Sequence, residues 1–168
     1  MKLKEEKVEK EGMNKELYDL FINLVQLEYN KLSFINGAKF YCWAHGYESY
    51  KKFFEKMYDM CAKCKGELIW YLLGRFEVIP ELKLPAIKTE FDSVEEVFTE
   101  FARMEDTYCN SLEAIAEKAY GVSDMNAVAY ALPIIKNMDH IACRALEAVK
   151  NKQCPLKLVK NNEEYLPW

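Results

Sequence analysis

Seven side chains carry the chemistry that this sequence offers: Glu28 and Lys31, Cys61 and Cys64, Glu105 and Tyr108, and Met138. Three pairs among them are three residues apart, the separation that sets two side chains on one face of a helix. Two carboxylates and two thiols make a donor set for zinc or ferrous iron. Ionised Glu and Lys are almost never fully buried unless paired, so a buried cluster of this kind needs a cause. Two readings stand side by side. In the first, Glu28, Cys61, Cys64 and Glu105 bind one metal ion. In the second, Lys31 sets its ammonium between Glu28 and Glu105, and the two Cys are small buried apolar side chains. A redox disulfide between Cys61 and Cys64 is a weaker third use, since only Lys31 would lower a thiol pKa there.

These residues can meet only on elements that run side by side. From about Asn14 to Trp43, Leu17, Phe21, Leu24, Ile35, Ala38 and Cys42 recur at helical spacing and predict one helix with a buried stripe. His45-Gly46 breaks it. A second helix is expected from about Tyr47 to Gly74. A third runs from about Asp92 to Tyr120, with Ser93 as N-cap and Glu96 completing a capping box. A fourth, capped by Ser123 or Asp124, is expected to reach about Lys150, with Pro133 kinking it. Each chemical pair lies near the middle of its helix, and Met138 lies near the middle of the fourth. Helices of equal length meet at their centres, so the sequence predicts one polar layer across an apolar core.

The connections set the topology. Very short turns make the first two helices antiparallel neighbours, and likewise the last two. Between them, Arg75 to Phe91 contains Pro80 and Pro85 and has no helical period. A helix of this length spans roughly 42 Å, and about 17 extended residues reach roughly 55 Å. That linker can run the length of the bundle, which makes the second and third helices parallel. The expected class is all-α: a charged arm over residues 1–13, a four-helix bundle over 14–150 with one long crossover, and a tail over 151–168. Pro155 allows a short fifth helix to start at Leu156.

Composition agrees and excludes alternatives. The chain has 168 residues, enough for one domain, and 51% of them are hydrophobic, enough for a sizeable core. Only 6 Gly and 5 Pro argue against an all-β fold, which needs many turns. The net charge of −4 argues against broad nucleic-acid binding. No apolar run reaches membrane-spanning length, and the first 13 residues lack a secretory signal's apolar stretch. A cytoplasmic setting is therefore expected, in which the 6 Cys serve as buried thiols or metal ligands rather than disulfides.

Over about residues 14–150 the chain resembles the ferritin family. The resemblance is carried by QLEYNKLSFINGAKFYCWAHGYESYKKFF, YLLGR, LPAI, FDSVEEVFTEFARMEDTYCNSL and SDMNAVAYALPIIKNMD. Glu28 and Glu105 match the family's glutamates on the first and third helices. The His45-Gly46 turn, Phe91 before Asp92-Ser93, and Asp124 also fall where the family has related residues. Four departures stand out. Cys61 and Cys64 replace a Glu-x-x-His pair, Asn137-Met138 replaces a Glu-Gln pair, Ile35 stands where a tyrosine is common, and Lys31 enters the layer. The resemblance implies a ferritin-like bundle without the familiar ferroxidase centre. It also implies self-association, as a closed shell or by co-assembly with another ferritin subunit, and a role in binding or storing iron. A lysine inside the bundle resembles the solution of ferritin light chains. The other reading of the residues is a metal-binding or sensor protein with one zinc or ferrous ion and no mineral cavity.

The remaining signals have ordinary readings. His45 sits at a turn, as a cap or surface residue. His140 matches a family position near an accessory iron site, but the helical wheel turns it outward. Glu48, Glu55 and Asp59 are interleaved with Lys51, Lys52, Lys56 and Lys63, the pattern of a solvated face. Met57, Met60, Met104 and Met138 at helical spacing are core filler, so no haem is expected.

Overall fold

The computed structural model describes residues 14–77, 80–137 and 140–160. Helix α1, Lys15–Ala44, starts on Asn14, whose side-chain oxygen accepts hydrogen bonds from the backbone N–H groups of Glu16 and Leu17. It ends at the His45-Gly46 turn, where Gly46 takes φ +76°, a conformation that suits a residue without Cβ. Helix α2, Glu48–Phe76, outlasts the expected stop at Gly74 by two residues. The stop is instead Glu77 in the left-handed region (φ 51°), whose N–H bonds to Leu73 O at 2.8 Å.

Helix α3, Val94–Gly121, has the expected N-cap. Ser93 Oγ accepts from Glu96 N–H, while Glu96 Oε2 accepts from Asp92 N–H rather than from the cap residue itself. Asp124 caps helix α4, Met125–Lys136, through Ala127 N–H. Its other oxygen meets Arg75 Nη2 at 2.6 Å, tying the end of α2 to the start of α4.

The expected single fourth helix is two helices. Pro133 sits inside α4, which stays helical through it and stops three residues later. Helix α5, Ile141–Lys150, restarts after His140, which takes a left-handed φ of 45°. Pro133 has no N–H to bond the carbonyl one turn back, so the last turn of α4 is weakened. A short helix α6, Leu156–Lys160, follows.

Two core clusters reveal the topology. One joins the C-terminal half of α1 (Ile35, Ala38), the N-terminal halves of α2 (Phe53, Phe54) and α3 (Phe98, Phe101), and α5. The other joins the N-terminal half of α1 (Phe21, Leu24), the C-terminal halves of α2 (Leu68, Leu72) and α3 (Leu112, Ile115), and α4. Helices α2 and α3 are therefore parallel, and α1 is antiparallel to both. This is the one-crossover bundle that the linker length predicts. Among the described residues, no helix is long and apolar enough to cross a membrane.

The crossover is held along α1. The Gln26 side chain exchanges two hydrogen bonds with the Lys83 backbone, at 2.7 and 3.0 Å, and Ser33 Oγ donates to Pro85 O at 3.3 Å. At Gly37 the backbones touch: a Cβ there would lie 1.8 Å from Lys88 O. Only glycine permits this approach. Gly37→Ala should push the crossover off α1 and destabilise the fold by about 1–3 kcal/mol, read as a lower urea midpoint. An unchanged midpoint would mean that the crossover contact carries no stability.

Candidate metal centre

Between the two apolar clusters lies a band of polar side chains. Glu28 and Lys31 are the buried charged residues of the described chain, 0% and 8% exposed. They lie between the Leu24–Val25 and Leu32–Ile35 stretches of the α1 stripe. Facing them, Cys61 closes the first core cluster on α2, and Cys64 follows one turn later. Tyr108 enters from α3. Helix α4 adds Tyr130, half-buried, stacked on Tyr71 with ring centroids 4.2 Å apart.

Lys31 is the hub. Its Nζ lies 3.6 Å from Glu28 Oε2 and 4.0 Å from the centre of the Tyr108 ring. Burial pulls the ammonium towards neutrality, but the acidic groups around it (Cys61, Glu28, Cys64 and Glu105, the two thiols only where pH is high enough to ionise them) outweigh it and hold the pKa above the ordinary lysine value. Lys31 is thus held as a cation. Both Glu28 oxygens are fully buried and accept no hydrogen bond among the described residues. The ammonium at 3.6 Å is the compensation for that carboxylate.

The thiols are protonated. Burial pushes Cys61 up to about 12, against the partial pull of Lys31, which also hydrogen-bonds it. Burial, then the Glu28 charge, pushes Cys64 up to about 12. The phenol of Tyr108 is raised well above its usual value by burial and then by Glu28, and Tyr130 is raised by the same two causes.

Glu105 does not share in the Glu28–Lys31 pair. Its Oε2 accepts from Ala142 N–H at 3.1 Å, in the first turn of α5. Burial raises its pKa, while that hydrogen bond and then Lys31 and His140 work against the rise. The carboxylate supplies from another helix the cap that α5 lacks, since no side chain of its own N-cap residue bonds there. Cys143 Sγ lies 3.9 Å from Asp106 Oδ1 beside it.

The sequence-predicted residues therefore divide. Glu28, Lys31, Cys61, Cys64 and Tyr108 come together. Glu105 stands at the edge and serves α5. His140 is exposed, at the break between α4 and α5. Met138 lies outside the described residues. His45 stays at its turn, with Nδ1 2.9 Å from Tyr41 O. Tyr130 was not anticipated, because an aromatic residue on an apolar helix reads as core. Its one clue is its place one turn before Ile134, on the side of Ala127 and Ala131. Among the described residues, no three His, Cys, Asp or Glu side chains are grouped so as to hold a metal ion.

No family profile matches the chain, and no curated protein does. Solved structures match in fold. One is a crystal structure of a PmFTN variant soaked in iron for 3 h, with a TM-score of 0.74, 21% identity, and coverage of 82% of this chain and 90% of that one. Others are PmFTN variants soaked for 45 min or 5 min, with a TM-score of 0.69, 18% identity, and coverage of 87% and 98%. The chain has the ferritin-like four-helix bundle fold.

Two predictions follow from the charge state of the layer. Unfolded thiols ionise near 9, whereas those of Cys61 and Cys64 hold their protons to about 12. Between these limits the unfolded chain has released protons that the folded chain keeps, so stability falls as pH rises. Its slope against pH should be steeper than that of Cys61→Ala/Cys64→Ala by up to about 1.4 kcal/mol per pH unit per thiol. Denaturation at pH 8 and pH 10 measures it, and equal slopes would contradict buried, protonated thiols. Separately, Lys31→Met leaves Glu28 uncompensated and should destabilise by about 3–5 kcal/mol. Adding Glu28→Gln should restore most of that, so additive losses in the double variant would mean that the two residues are not a pair.

Proposed function

We propose that this chain is a ferritin-like subunit that associates with copies of itself and holds iron without a two-iron oxidation centre. The observation that carries the reading is one combination: a ferritin-like bundle over 82% of the chain with a buried ammonium at its centre. The layer does not fit a two-iron centre. The bridging carboxylate and imidazole such a centre needs are replaced by Cys61 and Cys64, and Lys31 brings a positive charge to the middle of it. Iron is then cargo, taken up by an assembly, either of this chain alone or mixed with another ferritin subunit. The place of action is expected to be the cytoplasm.

A second reading makes the chain a one-ion protein, with zinc or ferrous iron on Glu28, Cys61, Cys64 and Glu105 and no mineral. The full burial of the Glu28 carboxylate favours it. Two requirements weigh against it: Lys31 must leave the layer, and Glu105 must release α5.

Light scattering and iron loading of the purified full chain separate the two. The storage reading expects a many-subunit particle that retains iron after gel filtration and oxidises ferrous iron without a fast initial phase. A monomer or dimer that retains no mineral would sink it. About one zinc or iron per chain after anaerobic purification without a chelating tag, lost in Cys61→Ser, would establish the second.

A further inference from the structure

We propose that the outer face of α4 is a docking surface for the same face on a second copy of this chain. The inference deepens the self-association in the proposed function and rests on that reading, but iron takes no part in it.

Helix α4 almost lacks the polar outer face of a surface helix. One of its 12 residues is charged, Lys136, and the side-chain oxygen of Asn126 is taken by Tyr71. A helix that is apolar on all sides is normally a buried one. Its three buried side chains, Ala127, Val128 and Ala131, are small, while Met125 and Leu132 are left 61% and 50% exposed. Met125, Ala129 and Leu132 stand at spacings of four and three, so they form one exposed strip, and Lys136 ends it four residues on. That spacing is the one found at a seam between two helices. Pro133 is exposed beside the strip, and the exposed Tyr120 and Val122 extend it into the α3–α4 turn. Together these side chains leave on the order of 400 Å² of apolar surface, which monomers rarely leave open in one piece.

The shape of the strip selects a second copy. Ala129 stands midway between the bulkier Met125 and Leu132, so the strip fits itself when inverted. Two Ala129 residues meet at the centre, and the bulky side chains interleave on either side. Lys136 of one copy then comes to the α3–α4 turn of the other, where Glu117 and Val122 line a shallow hollow. The whole chain carries a charge of −4, which sets copies against one another, and a strip without acidic residues is where they approach at least cost. Two such patches with their flanks bury roughly 1,000 Å², near the lower limit of a specific interface, so this contact alone is weak and concentration-dependent.

Ala129→Glu and Ala129→Lys test it, separately and mixed in equal amounts. The readout is sedimentation velocity of the full chain over a range of concentrations, with helical circular dichroism as the check on folding. Ala129 is exposed, so both variants should keep the wild-type dichroism. Each alone sets like charges face to face and should weaken association by about 100-fold or more. The mixture pairs opposite charges and should recover it. Association at the wild-type level in both single variants overturns this proposal alone and leaves the storage reading standing. Loss without recovery in the mixture also overturns it, since the strip then meets a different surface. A wild type that stays monomeric at every concentration overturns this proposal and the storage reading together. A monomeric wild type that co-sediments with phosphatidylcholine vesicles does the same and makes the strip a lipid surface. If either variant loses its dichroism, Ala129→Cys replaces them. A disulfide-linked dimer on diamide treatment, absent from wild type treated alike, supports the contact, and no such dimer overturns it.

Discussion

The Glu28–Lys31 pair divides this bundle. A buried carboxylate is tolerable only if its charge is met, and here one ammonium meets it one helical turn away. The apolar core is consequently two cores, one at each end, with a polar band between them. Every helix respects that band. α1 supplies the pair, α2 the thiols, α3 Tyr108, and the fourth position is interrupted between α4 and α5. A pair of this kind adds little net stability relative to a well-packed apolar replacement, but it is severe on alternatives. Sliding α1 by one turn against its neighbours would set both charges against apolar side chains such as Met57 or Leu68. The pair therefore acts as a register mark for the bundle.

The interruption of the fourth helix follows from the same band. A continuous helix would satisfy its own amides and leave Glu105 a half-buried carboxylate with no N–H to accept from. With α5 starting afresh at Ile141, free amides appear at its N-terminus and Glu105 meets Ala142 N–H. Pro133 weakens the end of α4, and Asn137 closes it by donating to Pro133 O and Ile134 O. The carboxylate of α3 and the proline of α4 thus act on the same junction from two sides. This is why Glu105 leaves Lys31 to Glu28.

The first three helices and their parallel or antiparallel sense were legible in the sequence because they depend on period and linker length, which are local quantities, whereas the expected continuous fourth helix proved to be two. The membership of Glu28, Lys31, Cys61, Cys64 and Tyr108 in one layer was legible for the same reason: midpoints of equal helices coincide. What failed to show was non-local. The cap on α5 comes from a residue 37 positions earlier, and no window around His140 contains it. The end of α2 at Glu77 needed a left-handed non-glycine residue, which sequence patterns do not favour. Tyr130 joined the layer through a fourth-helix rotation that only packing against Tyr71 and Phe21 defines.

A neutral centre moves the question of iron to the surface. The exposed residues of α2 include Lys52, Asp59 and Lys63, so this face mixes signs instead of presenting carboxylates. Two of its acidic residues are also engaged: Lys51 lies 3.6 Å from Glu48 and 3.5 Å from Glu55, and Lys52 lies 3.9 Å from Glu48. Exposed ion pairs of this sort are weak, on the order of 1 kcal/mol or less, so a multivalent ion can compete for the carboxylates where the solvent-shielded Glu28 cannot be reached. On the proposed storage reading, iron would thus be held by many weak, exchangeable oxygen contacts on the surface of the chain. The centre of each bundle would set the register of the fold and take no part in the binding.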